Sequence, residues 1–132
     1  MRKNLFRGKR LFFGDWVYGS LTDTITRHRL TKQYCFIVDD DYDDHEEQEV
    51  DPSTVGQYIG LNDTNGKKIF EGDIVKGKDT LFVRPIFGYV DFRDASFCIV
   101  GDCMTHYRWI DYELKVIGNI FDNPELLEGG DK

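Results

Sequence analysis

With 132 residues, of which 40% are hydrophobic and 14% aromatic, the chain is about one domain long and carries enough apolar surface for a core, which excludes wholesale disorder. Its net charge of -7 argues against a large basic surface for duplex DNA or anionic lipid. That charge is unevenly spread: residues 1–38 sum to +6, residues 39–51 to -9 and residues 52–132 to -4, so one acidic block interrupts a nearly neutral chain.

The first ten residues have the basic flank of a signal peptide, but Arg7, Lys9 and Arg10 interrupt any apolar stretch behind it. No window approaches the roughly 18 apolar residues of a membrane span, so a cytoplasmic protein with no membrane partner is expected. Residues 11–21 read as a strand, a turn at Gly14-Asp15 and a second strand. On that second strand Trp16 and Tyr18 share one face and Val17, Gly19 and Leu21 the other, and the aromatic face is the expected core. Residues 31–38 end in a buried-strand pattern and run into the acidic block. Asp39, Asp40, Asp41, Asp43, Asp44, Glu46, Glu47 and Glu49 repel one another too strongly to pack, and the block is read as an exposed loop.

Asp51-Pro52-Ser53-Thr54-Val55-Gly56 combines an N-cap residue, a proline at the first helical position and an exit glycine, enough for one helical turn. Residues 57–61 and 67–70 read as strands joined by a turn over Asp63-Thr64-Asn65-Gly66, with Asn-Gly the strongest short hairpin signal. Glu71-Gly72 makes a second tight turn that delivers Ile74 and Val75 into the core. Strands are expected over residues 86–92, where Ile86, Gly88 and Val90 alternate with Phe87, Tyr89 and Asp91, and over residues 95–100, with Arg93 and Asp94 as the turn between them. Tyr107-Arg108-Trp109-Ile110 adds an aromatic run. Residues 112–121 form a half-buried strand, with Tyr112, Leu114 and Val116 inward and Glu113 and Lys115 outward. Asn123-Pro124 then opens a short closing helix. Gly56, Gly60, Gly66 and Gly72 are expected at tight backbone turns, with Tyr58, Ile69, Phe70, Ile74, Val75, Val116 and Ile120 in the core.

Chemistry-bearing motifs are sparse. Cys35, Cys98 and Cys103 have no disulfide spacing and suit a reducing compartment. Cys98, Cys103 and His106 offer three zinc ligands where a structural site takes four. Asp39, Asp41 and Asp43 open like a calcium-binding loop, but Asp44 replaces the required glycine and Val50 the bidentate glutamate. Phosphate-binding, nucleotide-binding and hydrolase motifs are absent from the sequence. No cofactor and no metal is expected.

The segment from Val50-Asp51-Pro52 through Gly56-Gln57-Tyr58-Ile59-Gly60, Asn65-Gly66 and Glu71-Gly72-Asp73-Ile74-Val75-Lys76 resembles the signature of the YopX protein family, found mainly in bacteriophages and prophages. Residues 16–21 are similar to that family's N-terminal segment and residues 116–127 to its closing segment. The chain departs from the family's opening aromatic stretch, carrying Leu5-Phe6-Arg7-Gly8-Lys9-Arg10 instead. The resemblance implies a mostly-β, α+β protein: an α+β portion over residues 1–70, which includes the acidic loop 39–51, and a small SH3-like barrel portion over residues 71–132 that ends in the short helix. It also implies a homo-oligomer, and it brings no reaction, cofactor or catalytic residue.

The leading expectation is therefore a non-enzymatic accessory protein that assembles with itself and contacts a host or phage protein. Three other readings compete. The acidic block could act as a DNA mimic against a basic nucleic-acid site, although a solvated tip that keeps an oligomer soluble accounts for it better. The basic N-terminal third (Arg2, Lys3, Arg7, Lys9, Arg10, Arg27, Arg29 and Lys32, with Phe6, Phe12 and Phe13) could bind nucleic acid directly, or could meet the acidic block of a neighbouring copy. Glu113 and Lys115, with Asp91, Asp94 or Asp102 as a second ligand, have the spacing of a metal-dependent nuclease.

Overall fold

The computed structural model describes residues 5–21, 25–27, 32–38, 47–101 and 104–128; along residues 25–27 and 32–38 the backbone is described, with Ile37 the one side chain. The chain divides into two compact units, Met1–Tyr58 and Ile59–Lys132.

In the first unit, β1 (Phe6–Lys9) and β2 (Trp16–Leu21) form a hairpin with Lys9 opposite Trp16 and Arg7 opposite Tyr18. β2 continues beside β4 (Lys32–Val38), which also pairs with β3 (Ile25–Arg27) and β5 (Glu47–Val50), and the first residues of β6 (Gly56–Asn62) pair with β1. Backbone bonds from Asp51 N–H to the Lys9 carbonyl (2.8 Å) and from Leu11 N–H to the Glu49 carbonyl (3.2 Å) tie the end of β5 to β1.

Ile37 and Val50, both fully buried, make the small core of this unit, with Phe6, Val17, Leu21 and Val55 against them. The inner face of β2 is therefore the Val17–Leu21 face, opposite to the expected aromatic one. Gly8 shows why: a Cβ there would lie 3.0 Å from the side chain of Val50. The strand alternation that places Gly8 inward leaves its neighbours Arg7 and Lys9 with Trp16 and Tyr18 on the other face.

Two sequence boundaries shift. Residues 11–13 are a turn rather than a strand, and Phe12 (φ 70°) and Gly14 (φ 78°) supply the left-handed backbone it needs. Glu47 and Glu49 leave the expected loop and join β5 opposite Val38 and Phe36, because the alternation that buries Val50 can carry its acidic neighbours on the other face. The expected helical turn is a 3-10 turn at Pro52–Thr54, capped by Asp51, whose carboxylate accepts from Ser53 N–H at 3.0 Å.

The second unit takes the end of β6, β7 (Lys68–Phe70), β8 (Asp73–Asp79), β9 (Arg84–Arg93), β10 (Ser96–Gly101), β11 (Thr105–His106) and β12 (Tyr112–Asn119), followed by a four-residue helix α1 (Glu125–Glu128). Its main sheet is antiparallel in the order β11-β10-β9-β8-β12. Ile59, Ile69, Val75, Ile86, Val90, Ile99 and Leu114 form one buried cluster, each contributing about 1.5–3 kcal/mol by leaving water. Because Ile59 and Ile69 belong to it, the β6–β7 hairpin goes with the second unit, and the division falls after Tyr58.

The described strands form two antiparallel sheets and no closed barrel. β11 is two residues long and ends the main sheet on one side. On the other, the edge of β12 is occupied by the Asp63-Thr64 turn, through Thr64 N–H to the Leu114 carbonyl (2.9 Å) and Val116 N–H to the Asp63 carboxylate (3.0 Å). The Asp-Ala pair Asp94-Ala95, with φ 53° and 63°, makes the β9–β10 turn one residue later than expected. The expected alternations in β9 and β12 are observed, with Ile86, Gly88, Val90 and Leu114 inward.

Candidate functional site

Each unit projects an apolar hairpin tip, and the frame behind each tip is tied down by side chains. At the β1–β2 tip Phe12 is 100% and Phe13 72% exposed. The Arg10 guanidinium lies 4.3 Å from the Phe13 ring centroid and binds the Asp15 carboxylate through Nε at 2.7 Å and through a second nitrogen at 3.0 Å. That bond holds the Asp15 carboxyl below its ordinary range. The tip is thus aromatic and its charges balance locally.

Behind it, the Arg7 guanidinium sits 4.6 Å and the Lys9 ammonium 5.7 Å from the Trp16 ring centroid. Cations that a nucleic-acid reading needs are in part spent on the unit's own aromatic rings. Arg2, Lys3 and Arg29 lie outside the described residues, as do the side chains of Arg27 and Lys32.

At the β8–β9 tip of the second unit Leu81 is 52%, Phe82 54% and Val83 82% exposed, and Ile110, in the neighbouring 3-10 turn Trp109–Asp111, is 91% exposed. The buried Asp79 folds this tip: its carboxylate accepts from the N–H groups of Leu81 (2.9 Å) and Phe82 (3.2 Å). Thr80 donates twice to the Asp111 carbonyl, from its N–H and from its hydroxyl, each at 2.8 Å, and so joins the tip to the 3-10 turn. Val83 is held at φ 54°, a conformation a β-branched residue adopts only under constraint. Arg84 and Arg108 both lie over the Phe82 ring, at 5.7 and 5.4 Å. Arg108 is paired with Asp111 at 3.0 Å, whereas Arg84 has no carboxylate partner among the described residues. Burial pushes the nearby His106 imidazole down, against the attraction of Asp79 and with the repulsion of Arg84.

Trp109 of the 3-10 turn also lines a cleft of about 160 Å³, together with Leu61, Asn62, Asp63, Thr64, Ile69, Tyr112 and Leu114. It is smaller than the few hundred Å³ of an ordinary small-molecule site. Burial pushes the Asp63 carboxyl up, yet the backbone N–H groups of Val116, Lys67 and Asn65 outweigh it and leave the group below its usual range. Trp109 donates its indole N–H to the Phe97 carbonyl at 3.0 Å, and the Tyr112 hydroxyl accepts from Arg108 N–H at 3.0 Å.

The residues singled out from the sequence fall elsewhere. Asp39, Asp40, Asp41, Asp43, Asp44 and Glu46 lie outside the described residues, and so do Asp102 and Cys103. Glu113 is engaged with Lys78 across the β12–β8 pair at 3.8 Å and Asp91 with Arg93 at 2.9 Å, while Asp94 accepts from the Tyr107 hydroxyl at 3.2 Å. The described residues contain no group of three potential metal ligands.

The motif residues build backbone. Asp51 and Pro52 form the capped 3-10 turn, buried Gly56 opens β6 opposite Arg7, and Gln57 pairs with Phe6. Tyr58 N–H donates to the Leu5 carbonyl at 2.8 Å. Gly60, Gly66 and Gly72 have φ of 93°, 82° and 90°. Asn65 and Gly66 close the turn through Asp63, and Gly72, after Glu71, bridges the Val90 carbonyl and Ile120 N–H. Asp73 is buried and accepts from Phe70 N–H at 2.8 Å. These are the residues of the likeness noted above, and the family described as YopX protein matches residues 5–128. The chain belongs to the YopX protein family. No curated protein matches it.

The tip residues Leu81, Phe82 and Val83 had no place among the elements expected from the sequence, and Ile110 had one only as the end of an aromatic run. A signal was there: three apolar residues between Asp79-Thr80, a pair that favours a side-chain-capped turn, and Arg84-Pro85.

Proposed function

We propose that this YopX-family chain is a non-enzymatic, self-associating binding module, serving as an accessory protein of a bacteriophage or prophage in the cytoplasm of its bacterial host. The observation that carries this reading is the pair of exposed apolar tips on braced β frames. Apolar side chains carried on hydrogen-bonded turns need no ordering of their backbone on docking, which suits them as interface anchors. Self-association fits the β1–β2 tip best: its Arg10–Asp15 pair leaves Phe12 and Phe13 in a charge-balanced setting, so two copies meet there without like-charge repulsion. Sedimentation velocity over a concentration series tests it. The wild type sediments as an oligomer and the Phe12→Ser/Phe13→Ser double variant shifts to the monomer with an unchanged circular dichroism spectrum. A wild type that stays monomeric throughout refutes the self-association, and an oligomer untouched by the double substitution removes it from this tip.

A further inference from the structure

The two tips differ in charge, and that difference selects a partner. The β8–β9 tip carries Arg84 without a carboxylate partner among the described residues and Arg108 beside it, both guanidinia set over Phe82. The carboxylates close to it are spoken for: Asp79 is 7% exposed and takes two backbone N–H groups, and Asp111 is bound by Arg108. The surface is therefore aliphatic at Val83 and Ile110, with the charge of Arg108 balanced by Asp111 and Arg84 as its exposed unpaired cation among the described residues.

We propose that this tip docks an acidic segment of a protein partner. In that complex an apolar side chain of the partner packs against Val83 and Ile110, and a flanking Asp or Glu accepts from Arg84. The inference deepens the binding reading above and rests on it.

Three features favour this occupant. A guanidinium drawn toward an aromatic ring samples fewer orientations than a free one, so a carboxylate that bonds it loses less to ordering the arginine. A second copy related by a twofold axis through the tip would bring no free carboxylate to Arg84, since Asp79 is buried and Asp111 is held by Arg108. Nucleic acid would find phosphate partners in the arginines, but the Phe82 ring is already engaged by them, and Val83 and Ile110 offer nothing to a phosphate. The Val83 backbone at φ 54° is consistent with a tip whose shape is kept for contact rather than for stability.

The test is selection from a random displayed peptide library on the immobilised full chain, followed by fluorescence anisotropy with a synthetic copy of an enriched peptide. Enriched sequences carry Asp or Glu beside a large aliphatic or aromatic residue. Their affinity falls at least about tenfold in Arg84→Glu and in Val83→Asp, and declines with added salt. Both side chains are exposed, and unchanged circular dichroism of the variants shows that the loss is one of contact. Peptides without carboxylates, peptides that bind Arg84→Glu as well as wild type, or a selection that enriches nothing would each overturn the proposal. So would sedimentation showing that Val83→Asp dissolves a wild-type oligomer, since a second copy would then occupy the tip. Loss of self-association in the Phe12/Phe13 variant with peptide binding intact separates this surface from the assembly reading.

Discussion

Asp63→Asn removes one negative charge and nothing of the side chain's shape, so its effect isolates what the carboxylate does. In the native protein Oδ1 accepts from Asn65 N–H (2.8 Å) and Lys67 N–H (2.9 Å), and Oδ2 from Val116 N–H (3.0 Å), which joins the β6–β7 turn to the edge of β12. An asparagine that keeps its oxygen on the first two donors turns its NH2 toward the Val116 N–H, leaving two donors face to face. Losing a charge-assisted bond and stranding a part-buried donor costs about 2–4 kcal/mol. The pH dependence has a fixed sign. The Asp63 carboxyl is depressed in the folded protein, so its contribution is fully present above the unfolded value of about 3.9 and is lost as pH falls through the lower folded value. Urea denaturation of both proteins at neutral and acid pH, with hydrogen exchange at the Val116 amide, measures this. The variant is destabilised at neutral pH, exchanges faster at Val116, and loses less further stability in acid than the wild type does. A neutral-pH difference under about 0.5 kcal/mol, or identical slopes in acid, would refute the assignment of the turn's stability to this carboxylate.

Other outcomes follow from single positions. Gly77→Ala would set a Cβ 1.8 Å from the Glu113 carbonyl oxygen, a backbone clash that the β8–β12 pair cannot relieve by rotamer change; loss of the cooperative thermal transition is expected, and a Tm within a few degrees of wild type would contradict the close approach. Val83→Asn relieves the strain of a β-branched residue at φ 54° and raises stability by about 1 kcal/mol while weakening acidic-peptide binding; calorimetry and anisotropy on the same variant check both halves. Burial pushes the Cys98 thiol up, so the native protein reacts slowly with a thiol reagent at that residue and fast only after denaturation, as peptide mapping of the alkylated protein would show.

The period-two patterns in residues 86–92 and 112–118 were readable because one face is buried and the other wet, and the Asn65-Gly66 and Glu71-Gly72 turns because few residues tolerate their φ. The inner face of β2 was not, since the choice between Trp16 and Val17 is made by a glycine on the neighbouring strand: Gly8 admits Val50 and Ile37, a non-local fact. β8 extends to Asp79 although Lys76, Gly77 and Lys78 carry no apolar alternation, because pairing with both β9 and β12 supplies what the pattern lacks. The described strands close no barrel, and the contact that covers the edge of β12, from the Asp63-Thr64 turn, is equally remote in sequence. The candidate surface was the least legible part. Exposed aliphatics such as Val83 and Ile110 look like core residues until the hydrogen bonds of Asp79 and Thr80 are seen to turn the chain outward.

Hydroxyl-radical footprinting of the full chain, dilute and concentrated, with and without an acidic peptide, tests the division of labour between the two tips most directly. Protection of Phe12 and Phe13 on concentration, with Phe82 and Val83 remaining reactive until the peptide is added, is the result expected. Phe12 and Phe13 that stay fully reactive in the concentrated protein, or Phe82 and Val83 protected by concentration alone, would contradict the account.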